Sequence, residues 1–280
     1  MFFKLFWHDF KAGTLRRSVY WVFTALLFGF AAFRTVYVVH HYNDAFGTMR
    51  AVGLGDVFLE SFGGVRFTLP GSGDFKMPIL WLCFYILSAF FSLSYPLQDL
   101  LGIGQNVLVR NKKRTEWWLG KLFWVVSHTL IYFIVAYGIS VLLGWIMGGE
   151  LNLLIHREAL NNAAAFYLND SVLATHFASA WLLTFILSCV LNVMQLTLSL
   201  FVPLALSFGT VVLLLLLPIV VQAPWAFTNF GMPVRLTTLV EEGLNPSTGF
   251  IILGSILVAL LIIGLLRFKH FDIVAGKVQE

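Results

Sequence analysis

Few side chains in this sequence could do covalent chemistry, and their spacing argues against most of what they could do. His40 and His41 are adjacent. Neighbouring residues rarely converge on one ion without further ligands, so a metal centre is not expected there. Glu150, His156, Arg157, Glu158 and Asp170 form a titratable stretch. A carboxylate and an imidazole could move protons, yet nothing at helical spacing supplies a nucleophile, and a solvated cap is the simpler expectation. Cys83 and Cys189 both fall inside apolar runs. They read as thiols filling space between helices rather than as a disulfide or a metal pair. Walker-type spacing with a following Lys-Ser/Thr is absent throughout, including the glycine-rich stretch 40–77. The chain has no ATP-binding motif of its own and is not expected to be an enzyme. No catalytic, cofactor or metal residue is assigned.

Glu241-Glu242 resembles the opening of a membrane-protease motif, but no Arg follows at the needed spacing and no later His completes a water-activating set. The polar groups inside apolar runs are Arg34, His128, His176, Asn192 and Gln195. Such groups often mark function in a membrane. Arg34 lies near the end of the first run, where its stem can snorkel to the headgroups. No Asp, Glu or Lys stands centrally in any run, which disfavours an ion- or proton-coupled carrier. It favours a conduit driven from outside the membrane by another subunit.

Those residues must be held by elements that lie in lipid. The chain has 280 residues, 59% hydrophobic and 11% charged, with mean hydropathy +0.85, whereas a soluble domain is about 25% charged. A membrane helix needs about 20 apolar residues. Six stretches qualify: 19–39, 78–95, 122–147, 172–193, 197–219 and 249–267. The fourth and fifth are expected to form a hairpin turning at Asn192–Thr197, with Pro203 and Gly209 inside the fifth span. The first run is too long for a signal-peptide core and is expected to remain as an anchor. The fold class is therefore all-α polytopic, with six transmembrane helices after an N-terminal segment 1–18.

Six spans put both termini on one side. That side carries Lys4, Lys11, Arg16, Arg17, Arg110, Lys112, Lys113, Arg114, Lys121, Arg267, Lys269 and Lys277; the other carries Arg50, Arg66, Lys76, Arg157 and Arg235. The imbalance, twelve against five, assigns the termini to the cytoplasm. It is a membrane-edge pattern and not a nucleic-acid signal. In FFKLFWHDFK, Phe3, Phe6, Trp7 and Phe10 share one helical face, and Lys4, His8 and Lys11 share another. Such a helix lies in the membrane surface against lipid, as an anchor or as a lever on the first span. Segment 218–248 carries Pro218, Pro224, Pro233 and Pro246 among aromatics. Two re-entrant or interfacial helices are expected there, before the last span.

The loop PLQDLLGIGQNVLVRNKKRTEWWLGK, 96–121, joins the second and third spans. The stretch 95–124 resembles a group of Gram-positive bacterial permeases in its tyrosine-proline, its acidic-leucine pair and its basic cluster before Trp-Trp. Over essentially its whole length the chain resembles a permease subunit of an ABC-2 type exporter, with 19–280 as the six-span permease domain. The resemblance implies a coupling helix at Asp99–Leu108, with Asp99, Leu100, Gln105, Arg110, Lys112, Lys113 and Arg114 facing a cytoplasmic ABC ATPase dimer. It implies a second permease, identical or homologous, and ATP with magnesium on the ATPase alone. The expected location is a bacterial plasma membrane, and the expected cargo a peptide or an amphipathic, lipid-like molecule. Two alternatives remain open: a ligand-sensing or accessory subunit that transports nothing, and a membrane-embedded enzyme, which would need convergent side chains at one depth.

Overall fold

The computed structural model describes residues 2–47, 52–68, 71, 76–93, 95–102, 104, 108, 114–151, 174–240 and 243–271. These are helical, with no strand among them beyond isolated bridges. Gln105, Arg110, Lys112, Lys113, Arg157, Glu158, the Glu241-Glu242 pair and the side chains of Phe3 and His176 lie outside the described residues.

The elements are α1 (Phe2–Phe10), a π-turn (Lys11–Leu15), α2 (Ser18–Phe46), α3 (Leu54–Phe62), α4 (Ile79–Leu93), α5 (Tyr95–Leu101), α6 (Arg114–Ile146), α7 (Ala174–Leu198), α8 (Leu204–Val220) and α9 (Pro246–Lys269). Five helical stretches are long and apolar enough to cross a membrane: Ser18–Ala45, Ile79–Leu100, Arg114–Ile146, Ala178–Leu198 and Pro246–Lys269. Leu204–Val220 is a shorter apolar helix. The chain is thus an all-α protein of the multi-pass membrane type. Large apolar side chains cover its outside, from Leu26 and Phe30 on α2 to Ile251 and Val258 on α9, as a lipid solvent requires.

Helix ends follow local chemistry. Gly47 takes φ +65 and closes α2 in the left-handed conformation. Asn245 caps α9 by accepting from the Ser247 N–H at 2.9 Å, with Pro246 in the first turn, where its missing N–H costs nothing.

Two boundaries differ from expectation. The hairpin turns at 199–203, not at Asn192–Thr197, because Pro203 biases the preceding residue away from helix and becomes the N-cap of α8. Pro203 therefore lies outside the helix, whereas Gly209 is inside. Asn192 and Gln195 consequently sit within α7, both buried. The third apolar helix starts at Arg114, eight residues before the apolar run, and carries the Trp117-Trp118 pair and Lys121 into the bundle. The last correction concerns the thiols, both of them free: Cys189 is buried but Cys83 is exposed on α4.

The glycine-rich segment before α4 is not simply a loop. Its middle forms α3, buried from Gly55 to Phe62 and packed against α2, α4 and α6. Phe62 meets the Phe84 ring edge-on at 4.6 Å and stacks on Phe133 at 5.7 Å. Phe28 of α2 stacks on Phe62 at 5.4 Å. Offset and edge-on ring pairs are the favoured geometries, so this aromatic cluster fixes α3 in the core.

The proline-rich segment before α9 forms two short 3-10 helices, Phe227–Gly231 and Pro233–Arg235. They bury Thr228, Asn229 and Phe230 against α7, α8 and α9. Their polar side chains close the end of α8. Pro218 removes the N–H that would reach the Leu214 carbonyl, and Thr228 Oγ1 donates to that carbonyl instead at 2.9 Å. Asn229 Nδ2 donates to the carbonyls of Val221 and Ala226 at 3.0 and 2.9 Å. Arg235 donates to Pro218 O and to Asn229 Oδ1, both at 2.6 Å. Burial lowers the Arg235 pKa to about 10.

Candidate functional site

At the end of the bundle that gathers α1, α5 and the start of α6, one ammonium joins three elements. Lys121 Nζ lies 2.6 Å from Asp9 Oδ1 of α1 and 2.7 Å from Asp99 Oδ2 of α5. All three side chains are at least nine-tenths buried. The Tyr95 hydroxyl donates to the same Asp9 oxygen at 2.8 Å. The ammonium also lies over the rings of Tyr95 and Trp117, at 5.1 and 5.0 Å. Taking charges out of water costs several kcal/mol per ion, and here the ammonium is matched by two carboxylates, one of which also accepts from Tyr95.

The surroundings extend this clasp. Gly13, in the π-turn after α1, leaves no room for a Cβ, which would lie 2.7 Å from Trp124 and from Tyr95. The next residue, Thr14, accepts from Trp124 Nε1 at 3.2 Å and pairs with His128 Nδ1 at 3.2 Å, while its carbonyl accepts from Trp21 Nε1 at 3.0 Å. His128 therefore meets the N-terminal turn. Arg17 crosses to α5, donating to Gln98 Oε1 at 2.9 Å. Phe6 meets Phe123 of α6 edge-on at 4.8 Å, whereas Trp7 is exposed and stacks on Phe10 at 5.7 Å. The N-terminal helix thus lies against α6 through Asp9 and Phe6 and presents Trp7 outward. His8, Asp9 and Asp99 have ligand atoms within 4.8 Å of one another, but the Lys121 ammonium already stands between the two carboxylates.

Among the residues singled out for coupling, Asp99 and Leu100 face inward: Asp99 binds Lys121, and Leu100 packs in an apolar cluster with Trp117, Trp118 and Phe268. Arg114 Nη1 donates to the carbonyls of Lys269 and Phe271 at 3.0 and 2.8 Å, closing the end of α9. Trp117 and Trp118 stack on Phe268 at 4.9 and 5.2 Å. Among the described residues of 95–108, Gln98 and Gly102 are exposed.

Two further polar sites interrupt the apolar bundle. Asn192 Nδ2 donates to Ser88 Oγ and Thr129 Oγ1 at 3.0 and 2.8 Å, and Ser88 pairs with Ser188 at 3.1 Å. This ties α4, α6 and α7 together deep in the structure. On α2, Arg34 Nη1 lies 2.6 Å from Glu60 Oε1 of the buried helix α3. Arg34 therefore has a specific partner while its side chain stays about half exposed. Burial raises the Glu60 carboxyl above its usual range, and the Arg34 guanidinium opposes that shift without cancelling it. The cross-chain partners Asp9, Lys121 and Glu60 were not visible as a site in the sequence. The nearest signal was the Trp117–Lys121 spacing of four, which stacks cation over ring on one helix face.

No family model, curated protein or solved structure matches this chain.

Proposed function

We propose that this chain is the membrane-spanning permease subunit of an ATP-driven exporter, powered by separate cytoplasmic ATPase subunits. The observation that carries this reading is the buried Asp9–Lys121–Asp99 clasp. It links the segment after the second apolar helix to the surface helix α1 and to the base of α6. A displacement of α5 would therefore be passed to α1 and α6 as a rigid-body movement, the kind of motion that closes and opens domains. Such a device makes sense in a chain whose energy enters from a partner, and the sequence holds no nucleotide motif.

In this reading α8 is the fifth of six spans. Its 17 residues rise about 25 Å at 1.5 Å per residue, near the lower limit for crossing a bilayer. The basic end and both termini face the cytoplasm of a bacterial plasma membrane, as the charge imbalance requires. In this reading the docking residues are Gln98 and Gly102 together with Arg110, Lys112 and Lys113, whereas Asp99, Leu100 and Arg114 bind within the bundle. ATP and magnesium belong to the partner ATPase. A second permease, identical or homologous, completes the path for an amphipathic, lipid-like or peptide cargo.

The test is co-expression with the ATPase encoded nearest to this chain's gene, followed by co-purification and hydrolysis in nanodiscs. The expected result is a complex that R110E/K112E/K113E abolishes without loss of the folded permease. A complex indifferent to that variant, or none with any candidate ATPase, overturns the proposal. The cavity described next favours a second reading, a ligand-sensing subunit without transport. Vesicles that hydrolyse ATP but move no labelled amphiphile would support it.

A further inference from the structure

About midway along α2, a cavity of about 540 Å³ opens beside the Arg34–Glu60 pair. Its polar lining carries Arg34, Lys76 and the Glu60 carboxylate, and its apolar lining carries Phe30, Met77 and Ile79. The three apolar side chains are all about half exposed or more, at 58%, 49% and 63%. Residues 79–81, the first turn of α4, also line it, and a helix N-terminus adds partial positive charge. Among the described lining residues Glu60 is matched by one cation and the second cation is the excess, so this lining suits an anion. Arg34 spends one Nη on Glu60, lines the cavity and is still about half exposed.

The apolar side of the cavity continues along α2. Val19, Val22, Phe23, Leu26, Phe30 and Phe33 are all exposed, at the three- and four-residue spacing of one helix face. On a helix that meets lipid, such a stripe is where an acyl chain lies. A soluble anion would gain nothing from Phe30, Met77 and Ile79, whereas a lipid uses both halves of the site.

We propose that this cavity binds the headgroup of an anionic phospholipid, with Arg34 and Lys76 on its phosphate and its acyl chains along the exposed face of α2. Arg is suited to bidentate phosphate contacts and Lys to a point-charge contact. The site does not depend on an ATPase, so it stands or falls separately from the exporter reading.

The test uses the full-length protein in detergent, offered equimolar phosphatidylglycerol and phosphatidylcholine, with retained lipid counted by native mass spectrometry. A third arm adds millimolar inorganic phosphate. Two variants separate binding from folding. K76Q changes an exposed side chain, and R34Q/E60Q replaces the ion pair by two amides, so that no buried carboxylate is left alone. Expected are retention of phosphatidylglycerol at least fivefold over phosphatidylcholine, no displacement by inorganic phosphate, and loss of the preference in both variants while each elutes as folded protein. Equal retention of the two lipids overturns the proposal, as does a preference that K76Q leaves intact in folded protein. Displacement of the lipid by inorganic phosphate also overturns it and makes the cavity a site for a small soluble anion.

Discussion

The ammonium of Lys121 lies 2.6 Å from the Asp9 carboxylate, across 112 positions of sequence, and both groups are sealed from solvent. Asp99 takes the same ammonium from the other side at 2.7 Å. One cation thus serves two carboxylates, and the consequences of removing each member differ. K121M leaves two buried carboxylates facing each other without compensation, at a cost of about 3–5 kcal/mol. D9N keeps the Lys121–Asp99 pair and weakens the two charge-assisted bonds from Lys121 and Tyr95, at about 1–3 kcal/mol. Thermal unfolding in a fixed detergent should therefore rank wild type above D9N and D9N well above K121M. Equal stability of K121M and wild type would show that the clasp contributes nothing.

In the π-turn after α1, Gly13 packs directly on the bundle. A Cβ there would fall 2.7 Å from both Trp124 and Tyr95, two buried rings with no space to retreat. G13V should cost about 1–3 kcal/mol, as overpacking does, and should loosen α1 specifically. Limited proteolysis reads this out: cleavage within residues 1–17 should accelerate in G13V while the spans stay resistant. Uniform resistance in both proteins would mean that α1 tolerates the extra volume.

The sequence made the long apolar helices legible because a lipid solvent calls for long apolar runs, and that signal needs no tertiary information. It also exposed the aromatic face of α1, since Phe6 and Phe10 repeat at helical spacing. Lys121 was counted in the basic loop, and only the fold brings Asp9 and Asp99 to it. The buried helix α3 was hidden by its flanks: Gly53, Gly55, Gly63 and Gly64 mark a loop, yet the residues between them pack on every side. Arg34 was read as snorkelling because its partner Glu60 lies on that unrecognised helix. The hairpin was set too early because Asn192 and Gln195 look like turn residues in an apolar context. In the structure they donate to Ser88, Thr129 and the Ala89 carbonyl of neighbouring helices.

Glu60 gives a pH dependence whose sign follows from two opposed effects. Burial raises its pKa above the ordinary value of 4.5, and Arg34 lowers it by less. A carboxyl whose folded pKa is raised binds its proton more tightly in the native state, so stability falls as pH rises from about 4.5 through the folded pKa. E60Q removes that dependence. The melting temperature of E60Q relative to wild type should therefore climb as pH rises from about 4.5 to about 7. If the ion pair with Arg34 outweighed desolvation, the difference would move the other way, and E60Q would lose ground toward neutral pH.

The end of α8 offers a cleaner energetic test, because one residue creates a need that another fills. Pro218 cannot donate to the Leu214 carbonyl, and Thr228 Oγ1 does so at 2.9 Å. T228V keeps the shape and leaves that carbonyl buried without its donor, which should cost about 1–2 kcal/mol. P218A returns a backbone N–H to the position from which Leu214 would accept within the helix. In the P218A background the Thr228 hydroxyl becomes redundant, and T228V should cost less than half as much. The comparison is a double-mutant cycle between residues in one hydrogen-bond network, where non-additivity is the expected signature. Additive effects would mean that Thr228 stabilises α8 through packing alone. The Arg235 bond to Pro218 O at 2.6 Å remains in all four proteins, so it does not confound the cycle.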